Sequence, residues 1–254
     1  MKKFTKAALA TTLLFTGLNT AMAESSEKEI DPSDLTKVNT TAAFNLDNKG
    51  GTKLIGSLAF GYDNGQMAAF SLEGSLSPEG HYDNSRLQYF HVFNVGNPIM
   101  PRAAASIDII DNQMFTTAAV GGLAMFIPNI PKVTFFARGA VLAGEYKDEH
   151  VSQFNETDTD ILGGMGAFYA MWTPGADGTY FYVSPEYTYM GGDVETSVAK
   201  VTLFASTPLS ADRTRWGQLK LETTDTTSKN SLGITDDRYS GTDTKVTIGY
   251  KAYF

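Results

Sequence analysis

The chain has 254 residues, a formal net charge of −8 and no cysteine. The acidic balance argues against nucleic acid as a partner, and the lack of cysteine excludes disulfides and thiolate chemistry. Tyrosine (12), phenylalanine (16) and glycine (24) are frequent, which favours strands over helices.

The first 23 residues have the three parts of a secretory signal peptide. A lysine-containing start is followed by an apolar run over residues 7–15 and by the small-x-small triplet Ala21-Met22-Ala23. This run is about half of the roughly 20 residues that a membrane-spanning helix needs. We therefore predict export through the periplasm with cleavage after Ala23. Cleavage removes 23 of the 254 residues, leaves 231, and changes the net charge from −8 to −11, because the signal holds three lysines and no acidic residue.

Residues 24–37 are acidic, contain Pro32 and show no hydrophobic period. We interpret them as a flexible periplasmic lead-in to a single domain, residues 38–254. No segment after Ala23 has 18 consecutive apolar residues, so helices that span a membrane are excluded. A closed β-barrel is the other structure that satisfies every backbone polar group in lipid.

Runs of alternating polarity, separated by turn clusters, begin at Val38 and continue almost to the last residue. In residues 52–62, for example, Leu54 and Leu58 share one face, whereas Lys53 lies on the other. Such runs predict about twelve strands, an even number as in single-chain bacterial barrels.

Three of these runs depart from the regular pattern. The first, residues 38–45, is short. Residues 114–127 and 160–172 are apolar on both faces and rich in glycine and alanine, which indicates strands that cross where the interior is tight.

The predicted connections alternate in length. Those after even-numbered strands are compact, such as Asp63-Asn64-Gly65, whereas the longest follow odd-numbered strands, at residues 78–85, 148–160 and 228–243. Membrane barrels have short periplasmic turns and long external loops. The alternation therefore predicts that both chain ends face the periplasm.

The C-terminal strand carries one unbroken apolar face, formed by Val246, Ile248, Tyr250, Ala252 and Phe254. Together with the signal and the strand pattern, this terminus resembles the Gram-negative outer-membrane β-barrel (porin-like) superfamily. Members of that superfamily end in an alternating strand with a terminal aromatic residue, which the barrel-assembly machinery reads. The resemblance implies an all-β, transmembrane antiparallel β-barrel of about 12 strands. It also implies an outer-membrane location among lipid and lipopolysaccharide, and it leaves the oligomeric state open.

The inner face of the predicted barrel carries more basic than acidic groups. The predicted pore-lining residues are Lys53, Glu73, Arg102, Asp108, Arg138, Glu186, Lys200, Lys220, Glu222, Lys245 and Lys251. A mildly positive lumen suits a passive pore for small hydrophilic solutes that favours anions. Alternatively, these charges pair across a filled lumen, and the barrel has a structural or surface-interaction role that uses the loops at residues 148–160 and 228–243.

One short motif raises a third function, a lipid-hydrolysing enzyme. His150 and Ser152 have the His-x-Ser spacing that resembles outer-membrane phospholipases and lipid A deacylases, and on one strand face a histidine base would lie beside a serine nucleophile. The charged surroundings favour a solvated external loop instead. We therefore predict a protein that is not an enzyme.

No metal site or cofactor is predicted, because three scattered histidines without cysteine cannot form a transition-metal site. Aromatic residues at the ends of strands predict a membrane-interface belt, with carbohydrate stacking as the alternative. The predicted belt comprises Tyr62, Tyr146, Trp172, Tyr180, Trp216, Tyr253 and Phe254.

Overall fold

The computed structural model describes residues 30–236 and 238–254. The predicted signal peptide and the start of the predicted lead-in therefore lie outside the described residues. Twelve antiparallel strands form a closed barrel. They are β1 (Thr41–Asp47), β2 (Thr52–Gly61), β3 (Met67–Leu76), β4 (Tyr82–Asn94), β5 (Arg102–Asn112), β6 (Phe115–Phe126), β7 (Val133–Tyr146), β8 (Asp160–Trp172), β9 (Tyr180–Gly191), β10 (Val194–Pro208), β11 (Arg215–Asn230) and β12 (Gly241–Tyr253).

Each strand pairs with its neighbours in the chain, and β1 pairs with β12 to close the barrel. In this closing pair, Thr41 lies opposite Tyr253 and Asp47 lies opposite Thr247. Closure leaves no sheet edge with unpaired backbone groups, which lipid cannot hydrogen-bond. The prediction of an all-β antiparallel barrel of about 12 strands is confirmed.

The outer face of the barrel is apolar, as the alternation in the sequence predicts. On β12, Val246, Ile248 and Tyr250 are exposed, whereas Thr247 between them is buried. The predicted assembly-signal residue Phe254 is likewise exposed, next to Tyr253, which is buried. A continuous band of such side chains around a closed barrel is the surface of a membrane-spanning barrel.

The barrel has two different ends, which we name by the chain. The terminal end holds the start of β1 and the end of β12, where the Phe254 amide donates to the Thr40 carbonyl (3.0 Å). The loop end holds the connection between β7 and β8, which contains a short helix, α1 (Asp148–Ser152), and the connection between β11 and β12. Among the described residues, no helix is long and apolar enough to cross a membrane.

The strand bounds differ from the prediction mainly in the first strand and in the connections at the loop end. The first strand begins at Thr41 rather than at Val38, because the ladders with β2 and β12 begin at Thr41, and it ends at Asp47 rather than at residue 45. The final connection is shorter than residues 228–243, because β11 extends to Asn230 and β12 begins at Gly241.

Two apolar clusters fill parts of the barrel interior. The terminal cluster consists of Val38, Ala69, Val92, Ala104, Leu123, Met125, Phe136, Met171, Tyr180, Trp216 and Tyr253. The loop cluster consists of Ala119, Leu142, Tyr146, Val151, Phe154, Ile161, Met190 and Val194. Both clusters draw on β6, which explains why its sequence is apolar on both faces: one face meets lipid and the other packs inside.

Candidate functional site

A cavity of about 650 Å³ lies inside the barrel and is lined by charged side chains from both sides of the closing seam. Every predicted pore-lining residue except Arg102 and Asp108 lines this cavity. Lining residues such as Lys49 and Pro78 come from connections at the loop end, whereas Phe204 and Tyr182 also pack against the terminal cluster. The cavity therefore extends from the loop end down to the terminal cluster.

Asp108 is the centre of the ion-pair network in the interior. Its side chain is only 1% exposed, and its carboxylate accepts hydrogen bonds from Arg86 Nε (2.7 Å), Gln88 Nε2 (2.7 Å) and a terminal guanidinium nitrogen of Arg138 (2.9 Å). Arg138 reaches Asp108 across β6, which lies between their two strands. The network therefore ties β4, β5 and β7 together inside the barrel.

The network continues on the other side of Arg86. Glu73 on β3 lies 3.6 Å from Arg86 and accepts a hydrogen bond from Lys53 on β2 (2.9 Å). Charged residues on five of the six strands from β2 to β7, all but β6, are thus joined in one chain of opposite charges. Such alternation neutralises each buried charge with a partner, which offsets the cost of removing it from water.

The opposite wall carries separate ion pairs. Lys200 pairs with Glu186 at 2.6 Å, and Lys220 pairs with Glu222 at 3.1 Å. Lys245 pairs with Asp47 at 3.4 Å. The Lys200–Glu186 and Lys245–Asp47 pairs join neighbouring strands, whereas Lys220 and Glu222 lie two residues apart on β11. Together the three pairs leave little unbalanced charge on this wall.

Lys251 differs from the other basic residues of the cavity. Within the described part of the chain it forms no ion pair, and its ammonium group lies 5.0 Å from the centre of the Tyr253 ring. Because the other lysines and arginines are matched by carboxylates, Lys251 contributes most directly to an excess of positive charge in the cavity.

Two members of these ion pairs were not predicted from the sequence to line the pore. Arg86 was not among the predicted pore-lining residues, although it contacts both Glu73 and Asp108. Arg86 directly precedes Leu87, which lies on the apolar outer face of β4, so the alternation alone could have placed Arg86 on the inner face. Asp47 was missed because the first strand was predicted to end at residue 45, whereas it ends at Asp47.

The predicted flexible lead-in is wrong for the residues that the structure describes. Residues 30–37 fold into the terminal end, where Thr36 is fully buried and Ile30 and Leu35 pack against the terminal cluster. Arg102 donates to the Asp34 carboxylate at 2.8 Å. The predicted pore-lining residue Arg102 therefore contacts the N-terminal segment rather than the cavity.

The predicted aromatic belt is wrong for four of its members. Tyr146, Tyr180, Trp216 and Tyr253 are buried in the barrel interior, whereas Tyr62, Trp172 and Phe254 are exposed on the outside. The reason is register, since a residue at the end of a strand faces lipid only if its position has the parity of the outer face. Tyr253, for example, shares the inner face with Lys251.

The structure does not bring His150 and Ser152 together as a catalytic pair. They lie on α1 rather than on a strand, so residues two apart do not share a face. Ser152 is exposed and donates to the Glu149 carbonyl (3.2 Å), and neither ring nitrogen of His150 has a hydrogen-bond partner. His150 is also not in a solvated loop, because it is buried against Tyr146, Phe154 and Tyr239. This burial lowers the pKa of His150 below its usual value.

The described residues contain no group of three or more histidine, aspartate or glutamate side chains that could hold a metal ion. Most charged groups of the cavity are paired with one another instead, with Lys251 as an exception among the described residues. Chemically, the arrangement offers ammonium and guanidinium groups to a solute in a wet, partly closed space.

Comparison with solved structures finds other membrane barrels. The NanC porin aligns with 85% of this chain and 99% of its own, at 8% identity and a TM-score of 0.60. An outer-membrane channel from Pseudomonas putida F1 aligns with 89% of this chain and 100% of its own, at 11% identity and a TM-score of 0.55. The KdgM porin aligns with 84% and 99% of the two chains, at 9% identity and a TM-score of 0.48.

No protein-family model matches the sequence, and no curated protein matches it either. The likeness to solved structures is therefore one of architecture at very low identity. The chain has the fold of the outer-membrane β-barrel porins.

Proposed function

We propose that the protein is a pore of the Gram-negative outer membrane that passes small hydrophilic solutes and favours anions. The observation that carries this proposal is the charged cavity, whose basic side chains outnumber its acidic ones. Basic groups in a water-filled constriction favour anions. The porin fold supports a channel, and the signal-like N-terminus supports export through the periplasm with cleavage after Ala23.

The test is single-channel conductance of the refolded mature protein in a planar bilayer under a salt gradient. The Arg138→Glu and Lys220→Glu variants should shift the reversal potential towards cation preference, because each replaces a cavity cation by an anion. Lys229→Glu is the matched control, since Lys229 lies on β11 outside the cavity lining. Reversal potentials that stay equal in all variants of a conducting barrel would exclude the cavity as the selective path.

A second function is favoured by the terminal cluster, which fills the interior over part of its length. A barrel that never conducts would have a structural or surface-interaction role, with the loops at residues 148–160 and 231–240 as the contact surface. Removing these loops should then abolish binding to the partner while the barrel still shows heat-modifiable migration in gels. Stable conductance steps in the intact protein would favour the pore instead.

We do not propose a lipid hydrolase, because His150 is buried and makes no hydrogen bond to Ser152. Hydrolysis of lipid substrates should be undetectable in both the natural protein and the Ser152→Ala variant. Activity in the former that the substitution removes would reverse this conclusion.

We further propose that the outward face of β12 is read by the barrel-assembly machinery during insertion among lipid and lipopolysaccharide. Removing Phe254 leaves the inner face of β12 intact, so the isolated barrel should still refold in detergent. Insertion in cells should fall, as measured by heat-modifiable barrel in outer-membrane fractions. Normal insertion without Phe254 would contradict this role.

A further inference from the structure

The N-terminal segment at residues 30–38 forms a compact body inside the terminal end of the barrel. Asp31 accepts hydrogen bonds from the amide (3.2 Å) and the hydroxyl (2.6 Å) of Ser33. Asp34 repeats the pattern with the amide (2.9 Å) and hydroxyl of Thr36. The two successive turns satisfy their own polar groups, so the segment holds its shape by contacts within itself.

Apolar side chains of this segment complete the terminal cluster. Val38 is part of the cluster, and Ile30 and Leu35 pack against it. The Thr36 hydroxyl lies 3.7 Å from the Met125 sulfur of the barrel wall, and Thr36 is 0% exposed. The segment therefore fills space inside the terminal end that the wall side chains leave open.

One ion pair fixes the segment to the wall. Arg102, at the start of β5, donates to the Asp34 carboxylate at 2.8 Å and to the Thr36 hydroxyl at 3.3 Å. Thr40, two residues after Val38, already belongs to the wall, because its carbonyl accepts a hydrogen bond from the Phe254 amide. Asn39 is thus the link between a body that packs inside the barrel and a strand that forms it.

We propose that residues 30–38 are a plug that closes the terminal end, that Arg102 holds the plug in place, and that solutes pass only when the plug leaves. This inference rests on the proposed pore function. The plug can leave as a unit because its turns are internally bonded and only Asn39 and Thr40 connect it to β1. Its release exposes three aliphatic side chains and breaks one charged contact.

The first experiment fixes the plug reversibly. The chain has no natural cysteine, so Thr36→Cys with Met125→Cys supplies one pair, which a short bis-methanethiosulfonate linker joins and a reductant releases. Conductance in a planar bilayer should stop after linking and return after reduction in the same membrane. Conductance that continues at full size in the linked barrel would overturn the plug while the pore function stands.

The second experiment releases the plug. Arg102→Gln removes the charged contact, which should raise both the open probability and the labelling rate of a Thr36→Cys barrel by a membrane-impermeant maleimide, each about tenfold. Asp34→Asn removes the same contact without altering the wall and serves if Arg102→Gln does not refold. Lys229→Gln is the matched control, because it removes another 2.8 Å ion pair, with Glu195, at the opposite end of the barrel.

The two readouts separate the two proposals. Faster labelling and higher open probability together support the plug. Unchanged labelling in both Arg102→Gln and Asp34→Asn would overturn the role of Arg102. Faster labelling without conductance in any variant would refute the pore function, and with it the plug as a gate.

Discussion

Asp108 gives the sharpest test of the interior network. Asp108→Asn keeps the size of the side chain but removes the charge that neutralises Arg86 and Arg138. Breaking a buried ion pair costs about 3–5 kcal/mol, since the remaining charge stays without compensation. The two arginine side chains are 25% and 16% exposed, so water reaches them in part. We therefore expect the lower end of this range, about 3 kcal/mol of unfolding free energy.

The assay is equilibrium unfolding in urea of barrels refolded into lipid vesicles, followed by the loss of β-structure in circular dichroism. Glu222→Gln is the matched control, because it also removes one carboxylate from an interior ion pair, with Lys220. Glu222 is more exposed than Asp108, its partner Lys220 is more exposed than either arginine, and Glu222 forms an ion pair with this one lysine among the described residues. We expect a loss of at most about 1 kcal/mol from this control.

A double-mutant cycle with Arg138→Gln then isolates the contact across β6. If Asp108 couples the two arginines, Arg138→Gln should lower the unfolding free energy less in the Asp108→Asn variant than in the natural protein. Equal losses of unfolding free energy in Asp108→Asn and Glu222→Gln would contradict a central role of Asp108. Additive losses in the double-mutant cycle would contradict its coupling to Arg138.

Three further predictions concern the loop end, the terminal cluster and the outer face. Burial lowers the pKa of His150, so the folded loop favours the neutral imidazole. The loop should therefore be fully stable above about pH 6.5 and should lose stability as the pH falls below that value. Protease should therefore cleave the loop faster at pH 5 than at pH 7, and His150→Phe should remove this difference. The nearby Asp236 carboxylate favours the charged imidazole and so makes the difference smaller. Equal cleavage rates of the natural protein at the two pH values would contradict the prediction. Trp216→Ala should lower the unfolding free energy in the urea assay by about 3–5 kcal/mol, because Trp216 is fully buried. A smaller loss than that of Glu222→Gln would show that the terminal cluster collapses into the cavity that the substitution leaves. Ile107→Lys, in the middle of β5 on the outer face, should cost about 2–4 kcal/mol in lipid, and no cost would place this face in water.

The architecture could be predicted from the sequence because it depends on a period of two. Lys251 and Val246 were assigned to opposite faces by counting residues along one strand, and that parity does not depend on distant contacts. The inward direction of most predicted pore-lining residues follows from the same count. What parity does not reveal is whether an inner face meets water or other side chains.

Three features required contacts that a single sequence does not show. Tyr146 and Trp216 were assigned to the outside because aromatic residues at strand ends usually lie there, but their parity places them inside. His150 was assigned to a strand or loop, and a helix of five residues changed its direction. Thr36 was assigned to a flexible segment because polar composition usually indicates disorder, whereas its hydroxyl and amide are satisfied by Asp34.

The division of the interior explains why opening would involve the plug rather than the wall. Exposing apolar surface to water costs roughly 25 cal/mol per Å², so a passage forms most easily where the smallest apolar area is uncovered. Trp216 and Tyr253 belong to strands that cannot move without breaking their ladders of backbone hydrogen bonds. The plug belongs to no strand of the sheet, and the contacts described for it are side-chain contacts: aliphatic packing, the Arg102–Asp34 ion pair and the contacts of the Thr36 hydroxyl. A conducting state that keeps the barrel intact is therefore reached at lowest cost by moving residues 30–38 out of the terminal end.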